Sequence, residues 1–267
     1  AASVLVQARD LSTIQSFAGT VTGGGTASGG AALALNFLGR TADDADSSKV
    51  VRAEVLDSLL RSNGGAQVNA YSTSTIESVG VAAGASGTAA INGSNATNVL
   101  EDDISALWDA TSLLGGGTVT VSARQAAEID SMAGNVSGAM GAAVGAALAV
   151  NRIGSRTTAD MVGITLANYY IGQGYGTLNA DDVLLTAESD NQINTVAVGM
   201  SASVVAGVQG SVAVSVIESQ THATMGGDNY VTNVIANDSV AVTANSRDRI
   251  RSLAGAVSLG ALGVGAA

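Results

Sequence analysis

The residues that could do chemistry in this chain are few and widely spaced. There is one histidine, His222, and no cysteine. A zinc site would have to be completed by carboxylates, so His222 reads as a loop or surface residue. Three acidic clusters stand out: Asp43/Asp44/Asp46, Glu101/Asp102/Asp103 and Asp181/Asp182. Such groups, with backbone oxygens, suit calcium, the one cofactor the sequence raises. None follows an EF-hand loop or a glycine-aspartate nonapeptide repeat, so a solvated charged edge is the expected role. Polysaccharide-cleaving enzymes need their carboxylates gathered in one groove with basic residues near. The clusters here fall in different parts of the chain, no catalytic residue is assigned, and no enzyme activity is expected.

Overall charge narrows the partners. Asp and Glu number 22 against 11 Lys and Arg, for a net charge of −11, and Lys49 is the sole lysine. Phosphate binding needs clustered Lys and Arg, so nucleic acid is not an expected partner. Absence of cysteine removes disulfides and thiolate metal sites. The 34 glycines, absence of proline and aromatic share of 3% describe a core of small side chains in which backbones approach closely.

What must position any site is a repeat. The stretch Ala8 to Leu38 returns four times with its spacing intact. An alanine stands six residues before an isoleucine at Ala8/Ile14, Ala70/Ile76, Ala123/Ile129, Ala187/Ile193 and Ala244/Ile250. A hydroxyl follows by two, and twenty-two residues past the isoleucine stands Asn36, Asn98, Asn151 or Ser215. The isoleucines are 62, 53, 64 and 57 residues apart, so length variation lies in the connectors between blocks. The units run approximately over 3–64, 65–117, 118–181, 182–238 and 239–267, a single array that reads as a piece of something longer.

Each block opens and closes with period-two alternation, as in Val4/Val6/Ala8 and Val212/Val214/Val216, the mark of strands with one buried face. The Gly/Ala/Ser/Thr tract between is a costly helix, at roughly 1 kcal/mol per glycine relative to alanine, and is expected as short strands. The connectors hold most of the charge, Trp108, and Tyr169, Tyr170, Tyr175 and Tyr230. Val50/Val51/Val55/Leu59 and Ile104/Leu107/Leu113/Leu114 lie near helical spacing and predict short helices on one edge. In the later connectors Thr157/Ala159/Met161 parallel Thr221/Ala223/Met225 as an extra strand. The fold expected is an all-β parallel solenoid with two or three coils per repeat and helical or loop insertions on one edge. The Asn column would then form a ladder whose members are not all on adjacent coils. A flat two-sheet sandwich with Gly and Ala interdigitated is the competing geometry.

The cycle of a xVxVxA strand, xxxIxSxAG, a Gly/Ala tract and AVN resembles the long repeats of large filamentous adhesins secreted by Gram-negative bacteria. These are the filamentous-haemagglutinin-like, two-partner-secretion and leukotoxin-type proteins. The likeness is clearest in VTVSARQAAEIDSMAG with AALAVNRI, and in VAVTANSRDRIRSLAGAV. It implies a right-handed β-helical stalk, export to the cell surface, self-association or stacking of neighbouring repeats into a fibre, and contact with a host-cell or matrix surface. The alternative is a membrane-active or pore-forming protein. Gln15 to Gly39 and Asn194 to Ile217 are uncharged over lengths that would span a bilayer, and Gly134/Gly138 and Gly141/Gly145 fit small-xxx-small spacing. Ser, Thr, Asn and Gln throughout these tracts and a mean hydropathy of +0.33 favour a solenoid core. Asn92-Gly-Ser94 and Asn95-Ala-Thr97 match glycan-acceptor patterns.

Overall fold

A computed structural model describes residues 3–39, 48–162, 178–226 and 234–267. Among the described residues every regular element is a strand, and every pairing between strands is parallel. The chain is a parallel β-solenoid flattened into two sheets. Each coil runs outward along the first sheet, turns, and returns along the second.

The first sheet contains β1 (Val4–Gly24), β4 (Leu59–Ser62), β5 (Ala66–Ser86), β7 (Ser112–Gly115), β8 (Val119–Ala139), β10 (Leu178–Ser203) and β12 (Val234–Leu259). Facing it are β2 (Ala27–Leu38), β3 (Lys49–Leu56), β6 (Ala89–Asp109), β9 (Ala142–Val162), β11 (Ala206–Met225) and β13 (Leu262–Ala266). Strands stack as β1-β5-β8-β10-β12 and as β2-β6-β9-β11-β13, with β3 extending the β2 level beside β6.

Register shows that one repeat makes one coil, not two or three. Ile14, Ile76, Ile129, Ile193 and Ile250 pair in succession, as do Asn36, Asn98, Asn151 and Ser215. The Asn ladder therefore does run through adjacent coils. The main strands are unusually long: β5, β6, β8 and β9 have 21 residues each, about 70 Å at 3.3 Å per residue. Two such strands consume a whole repeat. No proline or inward charge interrupts the Gly/Ala tracts, and stacked neighbours pair with nearly every backbone group, which permits this length.

The connector helices do not form. Val51, Ala53 and Val55 pair with Ile104, Ala106 and Trp108, and these with Thr157, Ala159 and Met161, so the segments continue the second sheet. Their apolar residues alternate in and out, and a spacing of four satisfies a strand as well as a helix. Thr221, Ala223 and Met225 extend the same columns, as the extra strand expected there.

The interior is banded along the strand direction. Valines, alanines, Leu113 and Trp108 fill the connector end. Then comes a polar band around Asp10, Lys49 and Asp102, then the isoleucine column with Leu100 and Ile153. The Asn ladder follows, and an alanine column around Ala96 and Ala133 lies beyond it. Ile76, Ile129 and Ile193 are fully buried, each contributing about 1.5–3 kcal/mol.

Candidate functional site

The Asn column is a built polar network. Asn36 Nδ2 donates to Ser16 Oγ across the interior (2.7 Å) and to Asn98 Oδ1 on the next coil (2.7 Å). Asn98 repeats this with Ser78 Oγ (2.7 Å) and Asn151 Oδ1 (2.6 Å), and Asn151 donates to Thr195 Oγ1 (2.7 Å). Ser215 closes the ladder with Thr195 and Ser252. Each amide thus ties two coils and two sheets at once. With the Ala and Ile columns, it makes the repeated block a scaffold.

The acidic clusters do not converge. Asp43, Asp44 and Asp46 lie outside the described residues. Asp102 and Asp103 are sequence neighbours on a strand, so they face opposite sides of the sheet. Asp102 is buried against Lys49, Ser72 and Ser74, whereas Asp103 points outward. Asp181 and Asp182 are ties between coils at the connector edge. Asp181 accepts from Gly117 N (3.0 Å) and Asn237 Nδ2 (3.2 Å), and Asp182 from Ser239 Oγ (2.5 Å). Among the described residues no group of three or more His, Asp or Glu side chains is arranged to hold a metal ion. His222 is exposed on the outer face of β11. Asn92, in the first glycan-acceptor pattern, is buried and bonded to Ser137 and Thr22.

The strongest internal electrostatic feature is one that sequence reading passed over. Lys49 enters the interior from β3, and its Nζ lies 2.6 Å from Asp10 Oδ2, 2.9 Å from Ser72 Oγ and 2.6 Å from Ser74 Oγ. Asp102 Oδ1 is 3.4 Å from the same nitrogen, an ion pair without a hydrogen bond. The hydrogen bond from Lys49 holds the Asp10 carboxyl below its ordinary range, with Ser12 helping. Burial pushes Asp102 up, and Lys49 only partly opposes this. Ser72 pairs with Asp10 and Ser74 with Ser12 in two successive inward columns of the first sheet, so the cluster is a cross-sheet brace.

Outside, the first sheet carries a shallow groove of about 450 Å³ lined by Tyr71, Arg124, Glu188, Asp190, Asn245 and Arg247. These belong to two adjacent outward columns, Arg9/Tyr71/Arg124/Glu188/Asn245 and Leu11/Thr73/Ala126/Asp190/Arg247. Arg124 donates from Nε (2.6 Å) and from a terminal nitrogen to Glu188 Oε2. The second sheet has a similar patch in which Arg152 bridges Glu101 and Glu218 across three coils. The hydrogen bond that Arg152 donates to Glu218 raises the Arg152 pKa further. Eight residues further along β9, burial raises the Asp160 carboxyl, opposed by Thr224, Arg156 and His222. A ring face, guanidinium groups and carboxylates on a flat sheet can hydrogen-bond and stack on a polyhydroxylated or peptide surface. Once the five copies are aligned, these columns are legible from sequence one and three positions past each alanine.

No protein-family model, curated protein or solved structure matches this chain.

Proposed function

We propose that this chain is a length of structural stalk in a secreted surface fibre, of the kind its repeats resemble in Gram-negative filamentous adhesins. The observation that carries the reading is the strict equivalence of one repeat and one coil. Each added repeat lengthens the body by one strand spacing, about 4.8 Å, without changing its cross-section. Inward columns repeat from coil to coil, while outward residues on the charged half vary, as expected of a scaffold that displays different surfaces along its length. Exposed end strands of such a body pair with further coils, which is the physical basis for self-association.

Electron micrographs and fibre diffraction of the native material test this. The expected result is a ribbon about 70–80 Å wide with a 4.7–4.8 Å repeat along its axis. Compact particles without that axial repeat would overturn it.

The groove at Tyr71, Arg124, Glu188, Asp190 and Arg247 favours a second reading, in which the charged half of the first sheet binds carbohydrate of a host-cell or matrix surface. A glycan array probed with the wild type and with Tyr71→Ala/Arg247→Ala decides it. Binding lost in the variant supports this reading, and absence of binding by the wild type ends it.

A further inference from the structure

The two halves of each coil obey opposite rules. In the connector half most large apolar residues point inward and most charges outward, as in proteins folded in water, with the Lys49, Asp10 and Asp102 brace inside and Leu5, Leu11 and Val50 outside as exceptions. In the other half the order is inverted. Every Asp, Glu, Lys, Arg and His of the chain lies outside residues 16–38, 78–100, 131–151, 195–217 and 252–267. These five stretches form the arches made by the far ends of the two sheets and the turns between them.

Within the arches, outward columns on the first sheet read Phe17/Val79/Met132/Val196/Leu253, Gly19/Val81/Gly134/Val198/Gly255 and Val21/Ala83/Val136/Met200/Val257. The second sheet presents Leu33, Leu35, Phe37, Ile91, Val144, Leu148, Val208, Val212, Val214 and Val216. Polar side chains on the sheets of this outer surface are Asn95 and Thr97, which hydrogen-bond to each other, and Arg152, which shares its column with Phe37, Val99 and Val216 at the upper margin. Inward, the same strands carry small or polar residues: Ser16, Thr22, Asn92, Asn98, Asn135, Ser137, Ser201 and Gln209. Three of the five turns are apolar as well, with Met140 69% and Val204 67% exposed, and the first two carry the exposed Thr26 and Thr88. An exposed apolar surface of this extent marks an interaction site.

We infer that the arches are immersed in the hydrocarbon of a lipid bilayer, so that the solenoid lies along a membrane with one long edge embedded. The depth of the apolar zone fits. From Phe17 to Gly24 is eight residues, about 26 Å, and from Ala27 to Leu35 nine, about 30 Å, against a hydrocarbon thickness of about 30 Å. The hydrogen bond between Ser16 and Asn36 places the two boundaries at one height. Just above that height the outward residues become Glu77, Asp130 and Arg251 on one face and Glu101 and Glu218 on the other, with Arg152 between them in the column of Phe37, Val99 and Val216.

Backbone satisfaction also fits. Strands pair residue by residue through the arch, and turn amides bond to the preceding coil: Thr88 N to Thr26 O, Ala142 N to Thr88 O and Leu262 N to Val205 O. Between the first and last coils the strand backbone is therefore paired through the arch, as a structure within a membrane requires, and the open edges of the two end coils need a further coil or protein to cover them. Among the described residues no helix is present to cross one, so the strands themselves carry this surface.

A second copy of the chain is a poorer occupant. Two opposed faces and most of the turns between them are apolar together. Covering both faces with copies leaves each new copy with a bare face, an association that does not close. One bilayer covers all three surfaces. The net charge of −11 makes attraction to anionic lipid an unneeded term, so zwitterionic phosphatidylcholine vesicles are the probe.

The inference stands apart from the fibre reading. A chain that floats with vesicles but forms no ribbon sinks only the latter. The test is flotation of the purified chain with phosphatidylcholine vesicles, alongside Val136→Asp/Met200→Asp in the arch and Thr75→Asp on the charged half. The expected result is flotation that persists in high salt and falls at least tenfold in the double variant, with Thr75→Asp unchanged. Far-UV circular dichroism and the emission of Trp108, buried in the other half, should match the wild type in both variants. Val21→Trp, in a chain with Trp108→Phe, should be quenched by lipids brominated on the acyl chain. Overturning results are no flotation, flotation indifferent to Val136→Asp/Met200→Asp, or lipid-free association in which cysteines placed at 136 cross-link between copies.

Discussion

Replacing Lys49 by methionine isolates the internal brace. The substitution keeps the side chain's length and removes the charge that faces Asp102, whose own side chain has no exposed surface. Asp102 keeps hydrogen bonds from Ser74 (2.7 Å) and Ser72 (3.4 Å), but no cation. Stripping one partner from a buried ion pair costs about 3–5 kcal/mol, mainly because the remaining charge stays desolvated. Asp10 is one-third exposed and can hydrate, so it adds little. The loss is expected at neutral pH and should be pH-dependent. Asp102 already titrates above its ordinary value and loses the counteracting lysine in the variant. A carboxyl with a raised folded-state pKa stabilises the fold below the unfolded value near 4, and loses that contribution as pH rises through the folded value. The variant should therefore regain stability on acidification, by at most about 1.4 kcal/mol per pH unit. Asp10 has the opposite sign. Its depressed pKa stabilises above the ordinary value and is lost as pH falls, so removing Lys49 also flattens the acid-side decline. Urea unfolding followed by Trp108 fluorescence reads the coil concerned, since Trp108 is buried with its Nε1 donating to Thr111 O at 2.9 Å. Lys49→Met/Asp102→Asn should recover most of the loss at pH 7. The reasoning is refuted if Lys49→Met costs under about 1 kcal/mol, if the cost is equal at pH 5 and pH 7, or if Asp102→Asn deepens it.

Asn98→Ala removes one hydrogen bond accepted from Asn36 and two donated to Ser78 and Asn151, and should cost about 2–4 kcal/mol, read as a lowered urea midpoint. Asn98→Ser should cost less, because the fourth coil carries Ser215 in this column. Gly199→Ala would drive a Cβ into the Gln209 side chain, inside a packed interior, and should cost about 1–3 kcal/mol. Adding Gln209→Ala should return part of it, and a double-mutant cycle with no coupling would show that the two residues do not share the space.

Strand alternation was legible because each position repeats its character five times, and a period of two survives averaging across copies. Coil number was not, because strands usually run five or six residues, and a sixty-residue repeat then suggests several short ones. Long strands here follow from what is absent, proline throughout and inward charge in the Gly/Ala tracts, and an absence is easy to undervalue. The helices expected at Val50–Leu59 and Ile104–Leu114 failed for a related reason. Val51 and Val55 are four apart, which fits both periods, and only their pairing with Ile104 and Trp108 decides between them. Lys49 could not be matched with Asp102 by spacing. The segment between Leu38 and Lys49 displaces it from its column, so sequence shows a lone lysine where the fold makes a cross-sheet tie. The Tyr71 and Arg124 column needed no structure, only attention to outward positions in an alignment made for inward ones.

That same bias hid the arches. The small inward residues Ala96, Ala133, Ala149 and Ala197 set a narrow gap between sheets, so bulk on those strands has only the outside to occupy. Narrowness explains why large residues are not inside; it does not explain why they are apolar. In water, threonine, serine or lysine at Val21, Val136 or Met200 would pair their backbones equally well and would remove an aggregation hazard. The connector half shows that this chain uses such residues freely on an outer face, as at Thr75, Glu128, Gln192 and Arg249 in one column. Folding thus accounts for the inward columns along the whole strand and for the outward columns of one half. The outward columns of the arch are selected by something beyond folding, and an apolar phase that touches both faces and the turns accounts for all of them at once.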